Sequence, residues 1–273
     1  MSVCKRTSHL MMPLLLILWG VLLPACGPDV SLPKKITVAT DATMVPMSFM
    51  SDQGDIDGFD RALMEAIAKE AGLELEMVNV EWAGLLGGLI TGKYDAAISS
   101  ITILEERREK MAFSIPYLKS GLSIVVRKET EGISSLDDLL QKNKLVGAQR
   151  GTTAYFYLKD HPAIQSMGYE SYGHAVQDLI KGELDAVVGE STGTLYYKNK
   201  DKPVFAKIKM VGEILTDEYY GIAVRQDNPA LLKTLDKALK TLLANGTVAQ
   251  VHQQWDLGRA AVIPAPDEQP ASG

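Results

Sequence analysis

The sequence predicts an α/β protein with mostly parallel sheets, folded as two similar lobes. Three observations carry that expectation. Strand-like and helix-like stretches alternate along most of the chain. One phrase is written twice: "LITGKYDAAISS" (Leu89 to Ser100) and "LIKGELDAVVGE" (Leu179 to Glu190) share Leu-Ile, a Gly, Asp-Ala, an apolar pair and a polar end. Each copy has the order of an αβ unit, with a helical stretch, a glycine stop at Gly92 or Gly182, then a short apolar run. In open α/β sheets, ligands bind just beyond the carboxyl ends of strands. The ends of the two phrases therefore mark the first candidate site positions.

A length of 273 residues suits one large or two medium domains. The first 26 residues read as lying outside the fold. Lys5 and Arg6 form a short positive region, and Met11 to Leu23 is an apolar run of thirteen. That run is short for a membrane span and suits a secretory signal. It ends in "LLPAC", which resembles the lipobox of bacterial lipoproteins, although Pro24 stands where a small or β-branched residue is usual. By that resemblance Cys26 becomes a lipidated N-terminus. Cys4 and Cys26 are the only cysteines, so cleavage before Cys26 leaves the body without a disulfide framework, a Cys metal site or a Cys nucleophile. Loss of Lys5 and Arg6 takes the formal charge from −6 to −8. Phosphate binding needs a basic surface, so nucleic acid is not an expected partner.

"GPDVSLPKK" (Gly27 to Lys35) reads as a tether. "KITVAT" is a buried strand. "FDRALMEAIAKEAG" is a helix, because Phe59, Leu63, Ile67 and Ala71 fall on one stripe and Gly72 sits where a terminating glycine belongs. "LELEMVNV" alternates as a strand, and Trp82 is expected at its end. Helical stretches are expected at about Ala83 to Thr91, at Ala175 to Lys181, and from Leu231 to Trp255 with a break at Asn245-Gly246. The Pro- and Ala-rich tail, 258–273, has no periodicity and reads as disordered.

Four stretches carry candidate chemistry. In "SSITILEERREK", Ser99, Ser100, Thr102 and Arg107 offer hydroxyls, N–H groups and a guanidinium, a receptor suited to a carboxylate. Read alone, "EERREK" is better explained as a solvated helix face with ion pairs. Glu190 follows an apolar strand and suits an ammonium group, or serves as the N-terminal charge of a helix opened by "ESTGT". Together the two ends present opposite charges, which matches a zwitterion such as a free α-amino acid. "GAQRGTTAYF" places Gln149, Thr152 and Thr153 at a turn that opens a helix, where anions are favoured. It is not a phosphate loop. In "ATDATMVPMSF", Asp41 follows a strand as a further acceptor. Trp82 is either an apolar wall for a ligand or core. No histidine pair has metal-ligand spacing, no G-x-S-x-G elbow occurs, and no cofactor is expected.

The motifs "VATDATMVPMSF", "GFDRALMEAIAKEAG", "LITGKYDAAISSITILEERREKMAFSIPY", "GAQRGTTAYFYL", "GELDAVVGE", "DEYYGIAVR" and "LLANGTVAQVHQQW" occur in order from Lys35 to Trp255. In that order they resemble the polar amino-acid solute-binding proteins of bacterial ABC importers, family 3. The resemblance implies the type II periplasmic-binding fold, two α/β lobes joined by two crossover segments with the ligand between them. It places a lipoprotein signal at 1–25, the lipidated Cys and tether at 26–34, lobe 1 at 34–122 plus 219–257, and lobe 2 at 123–218. It implies that Ser100, Thr102 and Arg107 hold an α-carboxylate, that Thr153 adds a donor, and that Glu190, usually Asp, holds the α-ammonium. Asp41 matches a position that meets the ligand side chain, and Trp82 an aromatic wall, faced here by Met44 instead of the usual aromatic. The implied partners are a free amino acid, basic or polar, an ABC permease, and the membrane through the lipid anchor. A monomer is expected. The alternatives are a dehydratase on the same fold, whose proton donor would fall at Gly193, and a ligand sensor acting in trans.

Overall fold

The computed structural model describes residues 34–194, 205–258, 261–265 and 268. The expected signal segment, Cys26 and all of the tether but Lys34 and Lys35 lie outside these residues.

The chain begins with β1 (Lys35–Thr40), a small hairpin sheet of β2 (Thr43–Met44), β3 (Ser48–Met50) and β4 (Ile56–Asp57), then α1 (Phe59–Ala71) and β5 (Glu74–Asn79). The helix α1 buries Phe59, Leu63, Met64 and Ile67, the stripe expected from spacing, and stops where Gly72 turns left-handed at φ 68°. Next come α2 (Trp82–Ile90), β6 (Ala96–Ala97), α3 (Glu105–Arg108) and β7 (Ala112–Phe113). Trp82 does not close a strand, as its place after "MVNVE" suggested. The strand ends at Asn79 and Trp82 opens α2, because Gly84 and Gly87 leave no bulky alternation to prolong an extended segment.

Two crossing strands follow in sequence, β8 (Leu118–Ser120) on the way out and β14 (Glu218–Tyr220) on the way back, paired antiparallel with Glu218 opposite Ser120. Between them lie β9 (Leu122–Arg127), α4 (Leu136–Gln141), β10 (Leu145–Gln149), α5 (Thr153–Lys159), β11 (Gln165–Tyr169), α6 (Tyr172–Lys181), β12 (Ala186–Glu190) and β13 (Ile208–Val211). After β14 come β15 (Ala223–Val224), α7 (Pro229–Ala244) and α8 (Thr247–Gln254).

Two five-stranded sheets result, in the orders β5-β1-β6-β15-β7 and β11-β10-β12-β9-β13. Each is a parallel trio extended by one strand antiparallel to it, β15 or β9, and by an outer strand, β7 or β13, that pairs antiparallel with that one. The antiparallel strands are those adjoining the two crossings, where the chain reverses between sheets. Each sheet carries its own apolar cores. One joins Ile36, Val38, Phe59, Leu63 and Leu235 around the first sheet, and another joins Ile124, Val126, Val146 and Val188 around the second. The repeated phrases occupy equivalent places: β6 and β12 each lie beside the strand that precedes them in the trio, β1 and β10.

Within the tail, read from sequence as disordered, residues 261–265 and 268 are described and make contacts with the fold. Val262 and Lys119 exchange two backbone hydrogen bonds of 2.7 Å, which lays the tail against β8. Ala261 is buried, and its carbonyl accepts from His252 Nε2 at 2.6 Å. Tyr219 in β14 donates to Glu268 at 2.6 Å. Composition alone missed this because the tail adds to a strand edge instead of forming an element of its own.

Candidate functional site

The strand ends of both sheets meet around one small cavity. From the first sheet, β1 delivers Asp41, and the turn after β6 delivers Ser99 and Ser100. From the second, β10 ends in Gln149, Thr152 caps α5 by accepting from Tyr155 N–H, and β12 ends in Glu190. Asp41, Met44, Trp82, Ser99, Ser100, Gln149, Thr152 and Glu190 all line the cavity, as does Thr43, which sequence reading passed over. Its volume is about 20 Å³, room for about one water molecule.

The remaining expected residues, Thr102, Arg107 and Thr153, gather beside the cavity instead of lining it. Their focus is Glu218, a buried carboxylate on the return crossing that the sequence did not single out. Thr102 Oγ1 donates to Glu218 Oε2 at 2.6 Å, Thr153 Oγ1 donates to the same oxygen at 3.1 Å, and Thr216 Oγ1 donates to Oε1 at 3.0 Å. The only sequence signal for Glu218 was its place within "DEYYGIAVR".

Arg107 stands at the edge of this cluster. Its Nη1 donates to the Thr102 carbonyl at 2.9 Å, and the guanidinium lies 5.6 Å from the centre of the Trp82 ring. Among the described residues it makes no ion pair, whereas its neighbour Arg108 pairs with Glu105 at 3.5 Å. The solvated-face reading of "EERREK" thus fits Arg108, and Arg107 turns inward. Burial lowers the Arg107 pKa, and the charges of Glu218, Glu190 and Glu106 pull it back up.

The carboxylates feel the same desolvation. Burial and then the nearby charge of Glu218 push Glu190 up to about 7, against the pull of its own backbone N–H and of Arg107. Burial also raises Asp41, opposed by Thr43, Gln149 and the Trp82 backbone, while Glu81 adds to the rise. Gln149 Nε2 donates to Asp41 Oδ2 at 3.3 Å, a contact between the two sheets, and the Asp41 backbone N–H donates to Ser99 Oγ at 3.1 Å. Two buried oxygens on the cavity, Asp41 Oδ1 and Ser100 Oγ, have no hydrogen-bond partner among the described residues. Orphaned buried polar atoms are rare and point to a missing partner of complementary chemistry. Among the described residues no group of His, Cys, Asp and Glu is arranged to hold a metal.

The fold and cleft define a two-lobed solute-binding protein, and comparison with known proteins agrees. Residues 36–258 match the model of "Bacterial extracellular solute-binding proteins, family 3", and the chain belongs to that family. It is 34% identical over 228 residues to "ABC transporter arginine-binding protein 1" of Escherichia coli (strain K12), covering 81% of this chain and 90% of that protein. Among solved structures, an ancestral arginine-binding protein bound to glutamine superposes with a TM-score of 0.77 at 35% identity, covering 84% of this chain and all of the other. The ancestral amino acid-binding protein AncCDT-1, a precursor of cyclohexadienyl dehydratase, gives 0.75 at 34% identity over 81% of this chain and 95% of that chain.

Proposed function

We propose that this protein captures a free basic amino acid, L-arginine foremost, between its lobes and delivers it to an ABC permease. The observation that carries the choice of a cation is the charge of the site. Asp41 and Glu190 line the cavity, Glu218 lies beside it, and Arg107 at its edge feels the charges of Glu218 and Glu190, so these four groups carry a surplus of two negative charges when all are ionised. A buried charge is tolerated only when paired. A zwitterion with a neutral side chain leaves the surplus unchanged, whereas a basic amino acid removes one unit of it. Asp41, with Oδ1 unpartnered, is the natural acceptor for the guanidinium or side-chain ammonium. Glu190 is assigned the α-ammonium, and Arg107 with Ser100 the α-carboxylate, which Thr102 and Thr153 join by releasing the hydrogen bonds they give to Glu218 in this structure. The similarity to an arginine-binding protein of Escherichia coli supports the same choice.

Capture proceeds by opening and closing. A cavity of about 20 Å³ does not admit an amino acid, so the lobes, 34–122 plus 219–257 and 123–218, part at the two crossings. A ligand that bridges both lobe faces then favours the closed state in proportion to its differential contacts. Lipidation at Cys26 tethers a monomer to the membrane through residues 26–34. The chain is a carrier and not a dehydratase. The position three beyond Glu190 is Gly193, and Met44 lies 3.3 Å from where its Cβ would stand, so an acidic side chain there has no room unless Met44 moves.

A thermal-shift screen of the full chain, unfolded and refolded to remove carried-over ligand, tests this against the twenty amino acids, ornithine, citrulline and prephenate. At 100 times Kd, arginine stabilises the protein by about 2.7 kcal/mol. Asp41→Asn is expected to narrow the preference for arginine over citrulline at least tenfold. A wild-type shift with prephenate alone, or equal shifts with arginine and citrulline, would overturn the reading.

A further inference from the structure

Asp60 lies in the first turn of α1, is fully buried, and does not line the cavity. A carboxylate in that position is costly unless it is paired, and among the described residues it has no ion pair. All of its partners are neutral donors. Ser48 Oγ donates to Oδ2 at 3.0 Å, the Tyr117 hydroxyl donates to Oδ1 at 3.3 Å, and the Ser100 backbone N–H donates to the carboxylate. Ser48 Oγ in turn accepts from Thr40 Oγ1 at 2.7 Å. The chain of bonds therefore reaches the two places where the first sheet enters the site. Thr40 is the last residue of β1, next to Asp41. Ser100 is the residue whose unpartnered hydroxyl faces the cavity.

Ser100 also has a φ of 49°, in the left-handed region that residues with a Cβ avoid. Such a conformation persists only where the surroundings over-determine it, and it concentrates at ligand clamps. The surroundings here include Asp60 and Tyr117, since the Ser100 N–H lies near enough to both to favour their ionised forms. The hydrogen bonds of Asp60 thus explain both its burial and the strain at Ser100.

We infer that Asp60 is a positioning residue for ligand binding, holding the Ser100 turn in its left-handed form and, through Ser48 and Thr40, fixing the end of β1 beside Asp41. The inference rests on reading the cavity as an amino-acid site.

The test is a double-mutant cycle on the full chain, with L-arginine as probe, or the amino acid that wild type binds most tightly if it is another. Calorimetric titration at pH 8 gives Kd for wild type, Asp60→Asn, Ser100→Gly and the double variant, with Tm and circular dichroism recorded for each. Glycine adopts positive φ without an anchor. Asp60→Asn is expected to weaken binding at least tenfold in the wild-type background and less than threefold in the Ser100→Gly background. Equal losses in both backgrounds, or no loss in either, would overturn the proposal, since a purely structural role is indifferent to residue 100. If Asp60→Asn does not fold, Tyr117→Phe, which deletes one hydroxyl, replaces it in the same cycle with the same two readings. Failure of wild type to bind any amino acid is a separate outcome, and overturns the site reading on which the proposal stands.

Discussion

With Glu190 assigned to the ligand ammonium, affinity is expected to depend on pH. Its carboxyl stands at about 7 in place of the ordinary 4.5, a difference of about 2.5 units. The ammonium of a ligand pairs only with the ionised form, so binding below pH 7 must expel a proton. At roughly 1.4 kcal/mol per pH unit the difference is worth at most about 3 kcal/mol, on the order of a hundredfold in Kd. It is an upper bound because opening of the lobes rehydrates Glu190 and lowers its pKa in the free protein. Affinity is therefore highest above pH 7 and weakens as pH falls through 7 toward 5, by no more than tenfold per unit. In the ligand-free protein the sign reverses. A raised pKa gives stability that is complete below about 4.5 and is lost as pH rises through about 7. The ligand-induced shift in Tm should thus grow between pH 5 and pH 8. Calorimetric titration across that range, in pairs of buffers with different ionisation heats, counts the protons released. Glu190→Gln should bind weakly and with no dependence on pH in this window. Constant wild-type affinity from pH 5 to 8, or an undiminished slope in Glu190→Gln, would refute the reasoning.

Further outcomes follow from the same cluster and from the tail. Arg107→Ala removes the guanidinium assigned to the ligand carboxylate and should weaken binding by about 3–5 kcal/mol, the scale for breaking a buried pair, as read by titration. Glu218→Gln removes the charge that helps raise Glu190, so the midpoint of the pH dependence should move to lower pH, and an unmoved midpoint would separate the two groups. Deleting residues 259–273 removes the two 2.7 Å bonds between Val262 and Lys119. At about 1 kcal/mol each this lowers Tm by roughly 4–8 °C in a thermal melt, and an unchanged Tm would show that the tail adds nothing to β8.

The sequence by itself determined the local elements and the polarity of the site. The stripe of Phe59, Leu63 and Ile67 and the stop at Gly72 specify α1, because side chains three and four apart share a helix face and glycine alone takes the left-handed turn cheaply. Gly182 ends α6 in the same way, at φ 90°. Two copies of an αβ phrase placed Ser100 and Glu190 at strand ends, and their opposite chemistries were legible before any contact was known. Only the tertiary structure decided which groups meet. Thr102 and Thr153 reach Glu218 across 116 and 65 residues of sequence. Gln149 reaches Asp41 across 108. Nothing in a periodicity of two or 3.6 reports such distances. Asp60 reads in sequence as one more charge at a helix start, and the tail as one more Pro-rich end. The packing of α1 onto Ser48, Ser100 and Tyr117 makes the first a hub, and the open edge of β8 makes the second a strand partner. Local propensity is set by neighbours along the chain, whereas the pairing of buried polar groups is settled only when distant segments close on one another.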